Sequence, residues 1–399
     1  MSAPHYQTGS ENRPAPPAIS HLFLSFLRLG LTAFGGPAMV AYIRQMAVTQ
    51  KRWLEAGAFD DGVALCQVIP GATAMQTAAY VGLHSRGVGG AAASYVGFGL
   101  PAFALMMALS ALYQRAHELP AVVSAFSGLQ AIMVALVANA TVSFAQTSLK
   151  RWPHFLIAAL AAALFGWKMN PVLVIVLAGL LALVLIPAVS AAPRSAPNRP
   201  HLPHNLKTVA LIGAVAAFGF LGLWLAQRQL FELAALMFRI DLFAFGGGFS
   251  SVPLMFHEIV EVRHWLDAPT LLNGIVLGQV TPGPIVITAT FIGYLLAGML
   301  GGVVASVAVF LPSFLVLIAV APYFDRLRNS SLFNRIIGGV LCSFVGLLLT
   351  VTIRFGQNLT WDWRHLLLAV AAFAALRFKA NILWVVLAGT AFSLLVFPR

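Results

Sequence analysis

Charge is what this sequence has least of. Only 9% of its 399 residues are Asp, Glu, Lys or Arg, and the acids number 12. A soluble globular domain carries about 25% charged residues, so an ordinary water-facing surface is excluded. Charged interruptions are missing over long distances: the 57 residues from Ala268 to Phe324 contain no Asp, Glu, Lys, Arg or His. A helix crossing a bilayer takes about 20 apolar residues, and that stretch holds two. The ten-residue alternation of a transmembrane barrel is absent. Two cysteines, Cys66 and Cys342, both lie in apolar segments. They make neither a disulfide framework nor a metal-binding spacing, so buried thiols are expected and no metal or cofactor. There is no P-loop to power a pump and no G-x-S-x-G. The string His257-Glu258-Ile259-Val260-Glu261 lacks the second His of a zinc-protease motif. No assembled enzymatic constellation remains.

What is present is apolar residue, 60% of the chain, with a net charge of +12. The cations sit at the ends of apolar segments, as in Lys150-Arg151, Arg326/Arg328/Arg335 and Arg377/Lys379. Loop charges that orient a multi-pass membrane protein fall this way, and nucleic acid is not the expected partner; the lipid bilayer is. Residues 1–20 are polar and Pro-rich without a basic-then-apolar leader, which reads as a disordered tail. Thirteen apolar segments follow, the first four at 22–43, 60–84, 88–113 and 121–146, and later ones at 230–256 and 270–297. Those at 153–167 and 363–377 are short, so the expected fold is all-α and polytopic, with about 10–13 transmembrane helices. Residues 190–206, SAAPRSAPNRPHLPHNL, read as an exposed linker.

The linker separates two copies of one sequence, 21–189 and 207–399. RLGLTAFGG at 28–36 matches RIDLFAFGG at 239–247, an offset of 211. KRWLEAGAFDDGVALCQVIPGA at 51–72 matches RHWLDAPTLLNGIVLGQVTPGP at 263–284, an offset of 212. Thr77, Gly82, Gly87 and Leu100-Pro101 find Thr288, Gly293, Gly298 and Leu311-Pro312. If every segment spans, seven crossings separate the first segment from its counterpart, and the odd number inverts the second half. An inside N-terminus then places the basic loops inside, as the positive-inside rule requires. The exception is Arg44/Lys51/Arg52, which falls outside unless that loop is partly buried or the 60–84 segment is re-entrant.

Inverted repeats with broken helices belong to secondary transporters, whose site lies where the repeats meet. Three features converge there. Phe34-Gly35-Gly36-Pro37 and Phe245-Gly246-Gly247-Gly248 break helices inside apolar runs; glycine N–H groups at such a break form a natural anion site. Arg28 and Arg239 each precede the FGG by six residues, and a cation within an apolar segment is paired, snorkelling or functional. Two at symmetric positions suit an anion. Asp241 stands where the first half has Gly30, either to pair with Arg239 or to carry a proton. Finally, Pro70-Gly71 and Pro282-Gly283-Pro284 break helices beside Gln67, Gln279 and Thr281, which supply neutral polar contacts. Asp60 and Asp61 precede the first of these breaks. They read as surface acids, or as proton or counter-ion sites, with Asn273 opposite Asp61; Glu258 and Glu261 read as loop residues.

FGGP, QVIPGA, FGGGFSSVPL, GQVTPGPIVITATFIGY and the two Leu-Pro positions resemble the chromate ion transporter family in its long two-domain form. The resemblance covers about residues 20–356. It implies export of chromate across the bacterial inner membrane, driven by the proton-motive force and conferring chromate resistance, with sulfate as the natural competitor. Carried over by position, the family's motif residues are Phe34, Gly35, Gly36, Pro37, Pro70 and Gly71, then Phe245, Gly246, Gly247, Gly248, Pro282, Gly283 and Pro284. One departure is Ala72, where the family often has proline. Uptake or exchange of sulfate, a passive anion channel and a homodimer stay open at this point.

Overall fold

Glycine and proline decide where the apolar segments of this chain turn. The computed structural model describes residues 16–34, 37–187 and 206–397, without the side chain of Pro37. The tail residues 1–15, Gly35, Gly36 and most of the 190–206 linker lie outside the described residues. Among the described residues every regular element is helical.

Helices α1 (Ile19–Thr32) and α2 (Pro37–Arg44) flank the first FGG, and a π-turn, Gln45–Gln50, extends α2. They do not make one span. Lys51 Nζ lies 3.4 Å from His21 Nε2, and the His21 and Trp53 rings meet edge-on at 5.6 Å. The chain therefore leaves where it entered. Helix α3 (Ala56–Val68) and the first arm of α4 (Thr73–Ala116) repeat this around Pro70-Gly71. Gly62 lies against the Tyr80 ring, although in a straight helix those residues would stand about 27 Å apart. α4 then folds again at Arg86-Gly87, where Gly87 has φ +63° and Gly82 packs on the Gly90 carbonyl. Only its second arm, 88–116, crosses. In lipid, helices associate through small residues that let backbones approach, and paired glycines are what these hairpins use.

Helix α5 (Pro120–Ser148) returns across, and α6 (Trp152–Gly166) and α7 (Pro171–Leu185) form a short pair. Helix α8 (Leu206–Ala226) has no counterpart in the first half and buries none of its residues; Leu211, Val215 and Phe218 stand exposed, a surface suited to lipid. The second half then runs the first half's course. Helices α9 (Arg228–Leu242) and α10 (Ser251–Phe256), with a π-turn His257–Val262, form its first hairpin. Helix α11 (Ala268–Val280) and the first arm of α12 (Thr288–Val320) form its second, with Gly274 on the Phe291 ring. α12 folds again at Ala297-Gly298, φ +61°, where Gly293 packs on the Gly301 carbonyl. Helices α13 (Phe324–Arg328), α14 (Ser331–Gln357), α15 (Trp363–Arg377) and α16 (Ile382–Val396) complete it.

The segments at 22–43, 60–84, 230–256 and 270–297 are thus hairpins that enter and leave by one face. The inversion survives this change. The long arm of α4, α5, α6, α7 and α8 lie between the two entry points, an odd number of traverses. The face that holds the described N-terminus also holds Lys51 beside His21, and Arg86, whose Nε donates to the Pro17 carbonyl at 2.8 Å. Arg328 is there too, bonded to Asp61 at 2.9 Å. The charge anomaly at Arg44/Lys51/Arg52 disappears because the first hairpin is re-entrant. On the opposite face, Glu258 and Glu261 are not loop residues. Glu258 pairs with Arg239 and Glu261 with Arg354, both acids largely buried on the second π-turn.

Candidate functional site

Four hairpin tips meet in the middle of the protein, and they bond crosswise. Gly71 N–H donates to the Ala244 carbonyl at 2.8 Å, and Gly283 N–H donates to the Ala33 carbonyl at 3.1 Å. Each Pro-Gly tip is therefore tied to the FGG tip of the other half, by equivalent atoms. Thr141 and its equivalent Thr352 also meet directly, at 3.2 Å. Backbone groups freed by a helix break inside a bilayer need partners within the protein, and here each half supplies them to the other. Both tip glycines adopt positive φ, +117° at Gly71 and +125° at Gly283. Gly71 packs on the Ser313 hydroxyl, and a Cβ on Gly283 would come within 2.6 Å of Ala102 Cβ.

The tips floor a cavity of about 580 Å³. From the second half come Gly246, Gly247, Gly248, Gln279, Gly283 and Pro284. From the first come Gln67, Thr73, Asn139 and Ser143, with Arg44 and Asp60 at the mouth. Arg44 and Asp60 pair at 3.3 Å and both are half-exposed, so the cavity opens on the N-terminal face. Gln279 is buried and its side-chain NH2 has no partner. A buried donor left unsatisfied costs about 1–3 kcal/mol, which an acceptor-rich guest would return. The equivalent space on the opposite face is filled. Phe256 and Leu272 stand at the positions of Arg44 and Asp60, both buried, and Phe256 packs on Phe355 at 4.9 Å between ring centres. Two halves of one design are packed differently, and access is one-sided.

Among the sequence candidates, Gln67, Gly246, Gly247, Gly248, Gln279, Gly283, Pro284 and Asp60 line the cavity. Pro70, Gly71, Thr281 and Pro282 build the tips behind it: the Pro70 carbonyl accepts from Gln76 Nε2 at 2.6 Å, and Thr281 Oγ1 caps its own helix on Leu277. Phe34 and Phe245 are partly buried beside the FGG breaks and do not line it. Gly35 and Gly36 lie outside the described residues, and α2 begins at Pro37. Arg28 lines a separate hollow of about 440 Å³ with His21 and Lys51. Arg239 is bound to Glu258, with Arg263 3.7 Å from the other oxygen of that acid. Asp241 does not pair with Arg239; it is fully buried and accepts from Ser313 N and Oγ at 2.9 and 2.6 Å. Asn273 bonds Gln130 and Tyr113 instead of an ion. The sequence reading missed Arg44, Thr73, Asn139 and Ser143. Asn139 and Ser143 stand four apart on one face of an apolar helix, a spacing that marks a polar stripe.

Arg239 is a structural cation in this geometry. Arg239→Gln is expected to lower stability in detergent by about 1–3 kcal/mol, because it removes the nearer, partly exposed partner of a buried carboxylate and leaves it only Arg263 at 3.7 Å. Adding Glu258→Gln should restore most of it, as thermal unfolding of both variants would read.

The chain matches the chromate transporter family model twice, over residues 20–183 and 231–394. It belongs to the chromate transporter family. The two matches take in the two sets of hairpins and leave α8 between them. It is 40% identical to an uncharacterized transporter of Methanocaldococcus jannaschii over 379 residues, 94% of each chain. It is 31% identical to a chromate transport protein of Pseudomonas aeruginosa, covering 99% of this chain and 97% of that one. A chromate transport protein of Cupriavidus metallidurans is 30% identical, covering 98% and 96%. No solved structure matches the chain.

Proposed function

We propose that this protein exports chromate, a tetrahedral oxyanion, across the inner membrane by alternating access of one central cavity, and so confers chromate resistance. The observation that carries this reading is the cavity itself. It joins both repeats, is open on one face and filled on the other, and is walled by helix-breaking motifs and uncharged donors. The named relatives support chromate as the substrate. Most described cations, among them Lys51, Arg86, Lys150, Arg328, Arg335 and Lys379, belong to the open face, which makes that face cytoplasmic by the positive-inside rule. The cavity then opens where an exporter takes its cargo.

At the mouth, Arg44 is the capturing cation and Asp60 its resident counter-ion. An entering oxyanion displaces Asp60 and is handed to Thr73, Gln67 and Gln279, with Asn139 and Ser143 on the facing helix. Arg28 and Lys51 in the neighbouring hollow add positive potential on the approach. The second FGG lies against the floor with Gly246 and Gly247 at φ +84° and +101°, where backbone N–H groups can reach an anion without side chains in the way. Rocking of the hairpin tips then closes this side and opens the other, as inverted repeats do. With the interior negative, a dianion leaving gains about 4.6 kcal/mol per 100 mV, at about 2.3 per charge, so the electrical part of the proton-motive force suffices to drive export.

The test is labelled chromate in everted membrane vesicles, with and without an uncoupler, and with excess sulfate. Saturable accumulation abolished by the uncoupler is expected. Entry of sulfate or chromate into right-side-out vesicles instead would reverse the direction, and non-saturable flux without counterflow would make it a channel.

A further inference from the structure

The transport reading leaves unused the most deeply buried acid described. Asp241 has no cation: its sequence neighbour Arg239 is bound to Glu258. One carboxyl oxygen, Oδ2, accepts both Ser313 donors, while Oδ1 has no partner. Gln76 surrounds the same serine. Its Nε2 donates to the Ser313 and Pro70 carbonyls, which fixes the amide's orientation, and its Oε1 is also buried without a partner. Two acceptor oxygens around Ser313 thus lack a donor. An unpaired carboxylate in such a place is strongly disfavoured, and a proton on Oδ1 removes the charge and supplies a donor at once.

The surroundings add no other ionisable partner. α12 contributes only Tyr294, on its first arm before the Ala297-Gly298 fold, and α8 only Lys207 at its far end. α4 contributes Tyr95, whose hydroxyl donates to the Phe310 carbonyl at 2.8 Å. By contrast, Asp60 and Asp61 are matched to Arg44 and Arg328 nearer the surface and serve as counter-ions. The first half shows what the position needs structurally: its equivalents of Asp241 and Ser313 are Gly30, which packs on the Phe98 backbone carbonyl, and Ala102, neither with a polar side chain. The acid is not required to build the fold.

Asp241 is also wired to the cavity. Ser313 Oγ, donating to Asp241, accepts from Ala72 N–H at 3.2 Å, and Ala72 lines the cavity on the Pro70-Gly71 tip. We propose that Asp241 binds the proton of the transport cycle, and that its neutral form both latches the Pro70-Gly71 tip to α12 and permits an oxyanion to occupy the cavity. The O–H bond forms at Oδ1 with a proton from bulk water and breaks, returning it to water, when the tip undocks and the carboxyl is hydrated. An ionised Asp241 one serine away repels the anion, so occupancy of the cavity by the oxyanion is coupled to protonation of Asp241. This inference rests on the transport reading above.

The experiment is chromate binding to the purified full chain across neutral and alkaline pH, in wild type and Asp241→Asn, with an infrared spectrum of each. Asparagine keeps the acceptor for Ser313 and mimics the neutral acid, and comparing the two proteins removes the oxyanion's own protonation. Expected is a wild-type affinity that falls roughly tenfold per pH unit relative to the variant once Asp241 ionises, and a protonated-carboxyl band in wild type that the variant lacks. Ser313→Ala, which withdraws one donor from the ionised form, should move the wild-type transition to higher pH without abolishing it. Equal pH dependence in wild type and Asp241→Asn overturns the proposal, as does a wild-type spectrum without the band. A requirement for sodium in place of the proton overturns it too. If neither protein binds chromate, the transport reading falls, and the infrared band alone decides whether Asp241 carries a proton.

Discussion

Gly71→Ala and Gly283→Ala are expected to abolish transport, and Gly87→Ala to leave it largely intact, although all three glycines have positive φ. The difference lies in what surrounds them. Gly87 has nothing within 4 Å of the site a Cβ would take, whereas Gly71 presses on Ser313 and Gly283 on Ala102. A side chain at either tip adds about 1–3 kcal/mol of backbone strain to about 1–3 kcal/mol of overpacking. Both fall on the contacts where Gly71 meets Ala244 and Gly283 meets Ala33. At about 1.4 kcal/mol per decade, the docked tip becomes roughly 30- to 20,000-fold less favoured. Vesicle uptake normalised to membrane abundance checks this. The double variant Gly283→Ala with Ala102→Gly separates the two causes: it relieves the overlap and keeps the strain, and should recover part of the activity. Normal uptake by both single variants would mean that the tips do not dock during transport.

Arg44→Gln should carry the second largest effect, a rise in KM of roughly 10- to 100-fold with normal abundance. A hydrogen bond to a charged group contributes about 1.5–3 kcal/mol, and Arg44 is the only cation among the residues lining the cavity. Asp60→Asn is expected to act oppositely. It removes the competitor paired to Arg44 at 3.3 Å and should lower KM, because an arriving anion no longer has to displace a carboxylate. Arg44→Lys should be intermediate, since an ammonium keeps the charge and loses the guanidinium fork. Unchanged KM in Arg44→Gln would move the capture site to the hollow around Arg28.

The duplication, the membrane and the hairpin-forming motifs were all legible in residue order. Gly-Pro punctuation at fixed offsets needs no neighbours to be read, because it acts on the backbone dihedrals of its own segment. The positions of Gln67, Gln279 and the glycines at the floor followed from the same punctuation. The role of Arg239 did not. From sequence alone it is one of two symmetric cations, and its partner Glu258, nineteen residues on, reads as a loop residue. Pairing across a hairpin depends on whether the chain crosses or turns back, and the hydropathy of a hairpin arm is that of half a span.

Sequence alone therefore determined that this is a helical membrane protein of two related halves, with breaks at defined places and few charges to spare. Those properties reside in composition and local backbone chemistry. Only the tertiary structure decided that the breaks are reversals, that each Pro-Gly tip is satisfied by the opposite FGG tip, and that one of two equivalent cavities is open. The crosswise bonds and the open cavity are relations between segments in different halves of the chain. They are set by which glycine faces which carbonyl, and by Phe256 filling the place where the first half has Arg44.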